Sequence, residues 1–101
     1  MHWYNFLAAF FSGLFLANTI PHYVKGVCGD RFPTPFSTPS GKGLSSPIVN
    51  TLWALLNMVF GFILFRRANV ASGNLPLLVF FLGVAAISIQ ASLHFAHKHA
   101  N

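Results

Sequence analysis

Three uncharged apolar runs decide what this chain can fold into. Trp3 to Ile20 and Ile48 to Phe65 each give 18 residues without a charge, and Leu75 to Phe95 gives 21. At 1.5 Å per residue, 18 helical residues make about 27 Å, close to the roughly 30 Å hydrocarbon core of a bilayer. Each run is long enough to cross once. The expectation is an all-α integral membrane bundle of three transmembrane helices, with a long Pro/Gly-rich loop between helices 1 and 2. Residues 1–101 read as a single membrane domain, with spans at about 3–20, 48–65 and 75–95.

The composition agrees. Hydrophobic residues make up 54% of the chain and charged residues 7%, against roughly 25% charged in an average soluble domain. So few charges cannot cover a water-soluble globule, which excludes a soluble enzyme, a disordered charged segment and a disulfide-rich secreted scaffold. The net charge of +5 comes from cations scattered at Lys25, Arg31, Lys42, Arg66, Arg67 and Lys98. None lies inside an apolar run, so they read as topology signals flanking spans, and no nucleic-acid partner is expected. Cys28 is alone and has no partner for an intramolecular disulfide.

The boundaries have physical causes. The first run lacks a Lys or Arg before it and a small-x-small cleavage site after it, so it reads as a retained span rather than a signal peptide. Pro21 is expected to end or kink it. Ser46 followed by Pro47 reads as an N-cap and first helical position opening the second span. Asn74 is expected to cap the third, with Pro76 in its first turn. The nine residues from Arg66 to Asn74 make spans two and three an antiparallel hairpin. Trp3 and Tyr4 stand where an interfacial aromatic belt is expected. The segment from Val24 to Pro47 is punctuated by Gly and Pro. Phe32 and Phe36 in it read either as side chains dipping into the interface or as part of a functional cap over the bundle mouth or a partner-docking loop. With three spans, that loop and the C-terminus share a side, and four cations against two place this side in the cytoplasm.

Polar residues inside the runs carry the functional information, because they are costly in lipid and tend to face neighbouring helices or a cavity. Asn50, Ala54, Asn57 and Gly61 fall on one stripe of span two, at i, i+4, i+7 and i+11. Gly83, Ala86, Gln90, His94 and His97 make a similar stripe on span three. Ala9, Gly13 and Ala17 give span one a small-residue face suited to close helix packing. Chain direction brings Asn18, His22, Asn50, Gln90, His94 and His97 toward the same membrane face, with Cys28 and Asp30 in the adjacent loop. The plainest reading is a polar intramembrane cluster (Asn18, His22, Asn50, Asn57, Gln90 and His94) that bonds across helices, with His22, His94, Asn18, Asn50 and Gln90 in one connected network. A metal or haem site on His22, His94 and His97, completed by Cys28 or Asp30, is a weaker reading, since the sequence holds no HExxH or paired CxxC. A polar path for a solute or proton is a third, weakened because the only acid, Asp30, lies in a loop.

Asn18 to Phe36 (NTIPHYVKGVCGDRFPTPF) and Ser45 to Phe62 (SSPIVNTLWALLNMVFGF) together resemble a family of small three-span bacterial integral membrane proteins. The shared features are an Asn-x-x-Pro-His turn, a Thr-Pro-Phe loop and a Ser/Pro-then-Val-Asn start to the second span. The likeness covers roughly the middle 45 residues. It implies a bacterial membrane location and a three-span fold, carries no activity, and draws attention to Asn18, Pro21, His22, Thr34, Pro35, Phe36, Asn50, Trp53 and Asn57. The expected function is a non-enzymatic accessory or self-associating component of the bacterial cytoplasmic (inner) membrane, without a cofactor. Its partners would be lipid and a second copy or a larger membrane protein. The alternative is a small-solute, proton or metal transporter or binding protein using the polar cluster. No nucleophile–base–acid set points to an enzyme.

Overall fold

A computed structural model describes residues 2–96. It is all-helical: α1 (Trp3–Val27), α2 (Pro47–Arg67) and α3 (Asn74–Ala96), with a short 3-10 turn at Val70–Ser72 before α3. All three helices are long and apolar enough to cross a membrane. The α2 start follows the local chemistry: Pro47 sits at the first position, where a missing amide proton costs nothing, and the Ser46 side chain accepts the Val49 N–H at 3.3 Å. Asn74 is the first residue of α3 and not its cap, and Pro76 lies in the first turn as expected.

Pro21 does not end α1, which runs through it to Val27. Proline forfeits one intrahelical bond, but the turns beyond it are held from outside. His22 is 3% exposed and bonded to α2, and Gly26 is buried against Thr51. Tertiary contacts thus carry the helix past its breaker.

The helix α1 lies between the other two, packed on α2 along one side and on α3 along the other; the backbones of α2 and α3 stay apart, and Phe65 meets Phe80 edge-on at 5.5 Å across the gap. They run antiparallel, as a short connection requires, with α1 packed between them. The connection instead wraps the start of α1. Ala68 and Val70 are fully buried with Ala9, and the Asn5 amide donates to the Arg67 carbonyl at 3.3 Å. Asn69 turns the chain at φ 52°, a left-handed conformation that Asn tolerates better than most residues.

Small residues set the spacing of α1 and α3. A Cβ on Gly13 would strike the Phe80 carbonyl oxygen, and a Cβ on Gly83 would strike the Phe10 carbonyl oxygen. The contact is reciprocal, so the two backbones touch where both side chains are missing. On the other side of α1, Ser12 donates to the Gly61 carbonyl at 2.9 Å, and Leu16 occupies the space a Gly61 side chain would need.

Gly13→Leu and Gly83→Leu are each expected to destabilise the detergent-solubilised protein by roughly 1–3 kcal/mol, the usual cost of overpacking. Gly73→Ala, whose Cβ meets nothing closer than 4.0 Å, should be near neutral. Thermal unfolding followed by circular dichroism checks both. Equal stability of all three variants would show that α1 and α3 do not meet at these glycines.

Candidate functional site

The buried residues of α2 are Asn50, Ala54, Asn57 and Gly61, the stripe visible in the sequence. Each polar member is used. The Asn18 amide donates to the Asn57 side-chain oxygen at 3.2 Å, and the Asn57 amide donates to the Trp53 carbonyl at 2.7 Å. One turn nearer the mouth, Thr19 places its hydroxyl 3.1 Å from the Phe15 carbonyl and 3.3 Å from that of Ala54.

Asn50 is the centre of the arrangement and is fully buried. Its amide group faces three carbonyls, of Phe32 at 2.9 Å, Ser46 at 3.1 Å and Ser45 at 3.3 Å. With the amide so committed, its oxygen faces His22 and accepts the Nδ1–H at 2.8 Å. One side chain therefore joins α1, α2 and the chain between them.

That intervening segment, residues 28–46, is tied down over the same end of the bundle. Phe32 and Ser45 exchange backbone hydrogen bonds of 3.3 and 3.0 Å as an isolated antiparallel bridge. The Thr34 and Ser45 hydroxyls bond to each other, and the Thr34 carbonyl accepts the N–H groups of Ser37 and Gly41. Phe32 is buried against the rings of His22 and Phe95, while Phe36 is 65% exposed and meets Trp53 edge-on. Of the two aromatic residues, Phe32 thus packs inward and Phe36 stays at the surface. The α3 end joins through His94, whose Nε2–H donates to the Gly41 carbonyl at 2.7 Å.

A partly open cavity of about 200 Å³ remains between these parts. Asn18 and His22 from α1, Trp53 from α2 and Gln90, His94 and Phe95 from α3 line it, with Pro33, Thr34, Pro35, Ser40 and Gly41 as its lid. Five positions to which the family resemblance draws attention, Asn18, His22, Thr34, Pro35 and Trp53, are among them.

The expected network is joined only in part by direct side-chain bonds: His94 reaches the His22–Asn50 pair through Gly41, Thr34 and Ser45. His22 pairs with Asn50, Asn18 with Asn57, and His94 with Gly41, with no bond joining these sets directly. Gln90 lines the cavity but is exposed and makes no side-chain hydrogen bond with the described residues. Ala86 is likewise exposed. The face of α3 that meets α1 is centred round from the expected stripe, on Phe80, Gly83, Ile87 and Ala91. Of the small-residue face on α1, Ala9 packs beside Val79 and Phe80, Gly13 meets Phe80 and Val84, and Ala17 lies near Ile87 and Ala91. That face is occupied by α3 within the chain.

His97 lies outside the described residues. Among the described residues no three His, Cys, Asp or Glu side chains gather as metal ligands. No spacing signal in the sequence marks Ser12 and Thr19, single hydroxyl residues in an apolar run that bond to backbone carbonyls, or Ser45, whose hydroxyl bonds that of Thr34. Comparison of the chain with protein-family models, with curated proteins and with solved structures finds no match in any of the three.

His22→Ala and Asn50→Leu are expected to be strongly non-additive, because either one alone leaves buried partners unpaired at ~1–3 kcal/mol. His22→Ala and His94→Ala should couple more weakly, because only the relay through Asn50, Ser45, Thr34 and Gly41 joins them. Equilibrium unfolding of the single and double variants decides; coupling of the two histidines as strong as that of His22 with Asn50 would require a direct link absent from this geometry.

Proposed function

We propose that this chain is a non-enzymatic, multi-pass component of the bacterial cytoplasmic membrane that works by associating with other membrane helices, its own copies included. The observation that carries this reading is how the polar and apolar groups are sorted. Asn50, Asn57, Ser12 and Thr19 are buried and spend their hydrogen bonds between the chain's own helices. That use is structural, and it favours association over conduction along the bundle axis. Outward, α2 exposes Leu52, Leu56, Val59, Phe62 and Ile63, and α3 exposes Leu75, Leu78, Phe81, Leu82, Ile89 and Leu93. Two helices clad in apolar side chains on their free sides need lipid or protein against them. The three candidate spans suggest a multi-pass arrangement, and the resemblance in the middle of the chain supports a bacterial membrane. The cation asymmetry supports a cytoplasmic position for the segment between α1 and α2.

Cys28 is exposed and free in that segment, which makes it the natural reporter. A membrane-impermeant maleimide is expected to leave it unlabelled in intact cells and to label it in inverted vesicles. Labelling in intact cells would place the segment outside. Cross-linking in native membranes should give species larger than one chain; only the single-chain species at every cross-linker concentration would reject association.

A further inference from the structure

We infer that the cavity under the 28–46 segment binds an uncharged aromatic ring carrying two hydroxyl groups, of the dihydroxybenzene class. The tautomers of its two histidines point to this. A carbonyl only accepts, so the neutral His94 ring carries its proton on Nε2, toward Gly41, and leaves Nδ1 as a lone pair. The Asn50 amide is committed to three carbonyls, so its oxygen takes the His22 Nδ1 proton and the His22 Nε2 is left as a lone pair. Both rings line the cavity. The site therefore offers two imidazole acceptors beside the Gln90 amide, an arrangement that favours a ligand donating at two points.

The remaining walls narrow the class. No Lys, Arg, Asp or Glu lines the cavity, so an ion would be held without a counter-charge. Trp53, Phe95, Pro33 and Pro35 give flat apolar walls that suit a ring. A volume near 200 Å³ is below the range of drug-sized pockets and suits one ring. A metal ion would find two imidazoles but no third His, Cys, Asp or Glu ligand among the described residues, in a space far larger than an ion. The same chemistry is carried by a water-borne dihydroxybenzene and by the head group of a lipid-borne quinol. The site does not depend on how the chain associates in the membrane.

Titration calorimetry of the purified full chain in detergent, under anaerobic reducing conditions, tests this. Hydroquinone should bind saturably, with Kd on the order of 0.1–1 mM for so small a ligand. Its dimethyl ether, which has the same ring and no donor, should not bind. A decyl-tailed quinol that binds more tightly identifies a bilayer-fed site, and one that is excluded identifies a water-borne ring; either keeps the assignment. His94→Ala, at the partly exposed end of α3, should weaken hydroquinone about fivefold, with helicity unchanged by circular dichroism. Absence of saturable hydroquinone binding, or equal binding of the dimethyl ether, would overturn the proposal. So would stoichiometric zinc binding abolished by His94→Ala, which would assign the lone pairs to a metal.

Discussion

A buried amide cannot be left unpaired in a medium that offers no water, and the Asn50 side chain turns that constraint into architecture. It sits one turn into α2, and all its hydrogen-bonding capacity is met by other parts of the chain. His22 comes from beyond the proline of α1; the Phe32 and Ser45 carbonyls come from the two sides of the β-bridge. Those two carbonyls also serve the bridge itself. The segment between α1 and α2 is thus folded by a side chain of the helix it precedes. An apolar residue at position 50 would leave the α2 backbone untouched and strand His22.

The second constraint is steric. With Gly13 and Gly83 in mutual backbone contact on one side of α1, and Gly61 open to Leu16 on the other, α1 can approach both neighbours closely. It becomes the middle helix, and α2 and α3 are held apart. The gap between them is filled by connections: Ala68 and Val70 at the start of α1, and the Phe32–Ser45 bridge with its neighbours at the far end. The cavity lined by His22 and His94 is what remains at that far end, where the three helices and the bridging segment meet.

Much of this was legible in the residues, and the failures share a cause. The three helices follow from run length. The α2 stripe follows from its spacing, because on an apolar helix the few polar and small residues mark the side away from lipid. The Ser46–Pro47 start is local chemistry. What escaped was decided between segments. Pro21 is a sound local breaker, overruled by the bond that His22 makes to α2 and the close packing of Gly26 on Thr51. The α3 stripe was drawn through Ala86 and Gln90 because they are small or polar, yet the contact face was chosen by the fit of Gly83 against Gly13, which leaves both residues at its edge. A nine-residue connection fixed direction but not adjacency, since it spans a third helix as readily as a gap. The polar cluster was found as a neighbourhood, while the way its members join depended on Ser45 and Gly41 carbonyls, and a backbone acceptor leaves no mark in a sequence.

A non-enzymatic association role and a small ring-binding cavity place different demands on the molecule, but both need the 28–46 segment to be part of the folded unit. Amide hydrogen exchange at Phe32 and Ser45, compared between the wild-type chain and Asn50→Leu in the same detergent, tests this most directly. Protection of both amides in the wild type is expected, lost by at least tenfold in the variant while the central amides of α2 stay protected. Exchange of Phe32 and Ser45 at unprotected rates in the wild type would contradict the account, because the segment would then be a free tether and Asn50 would organise nothing beyond its own helix.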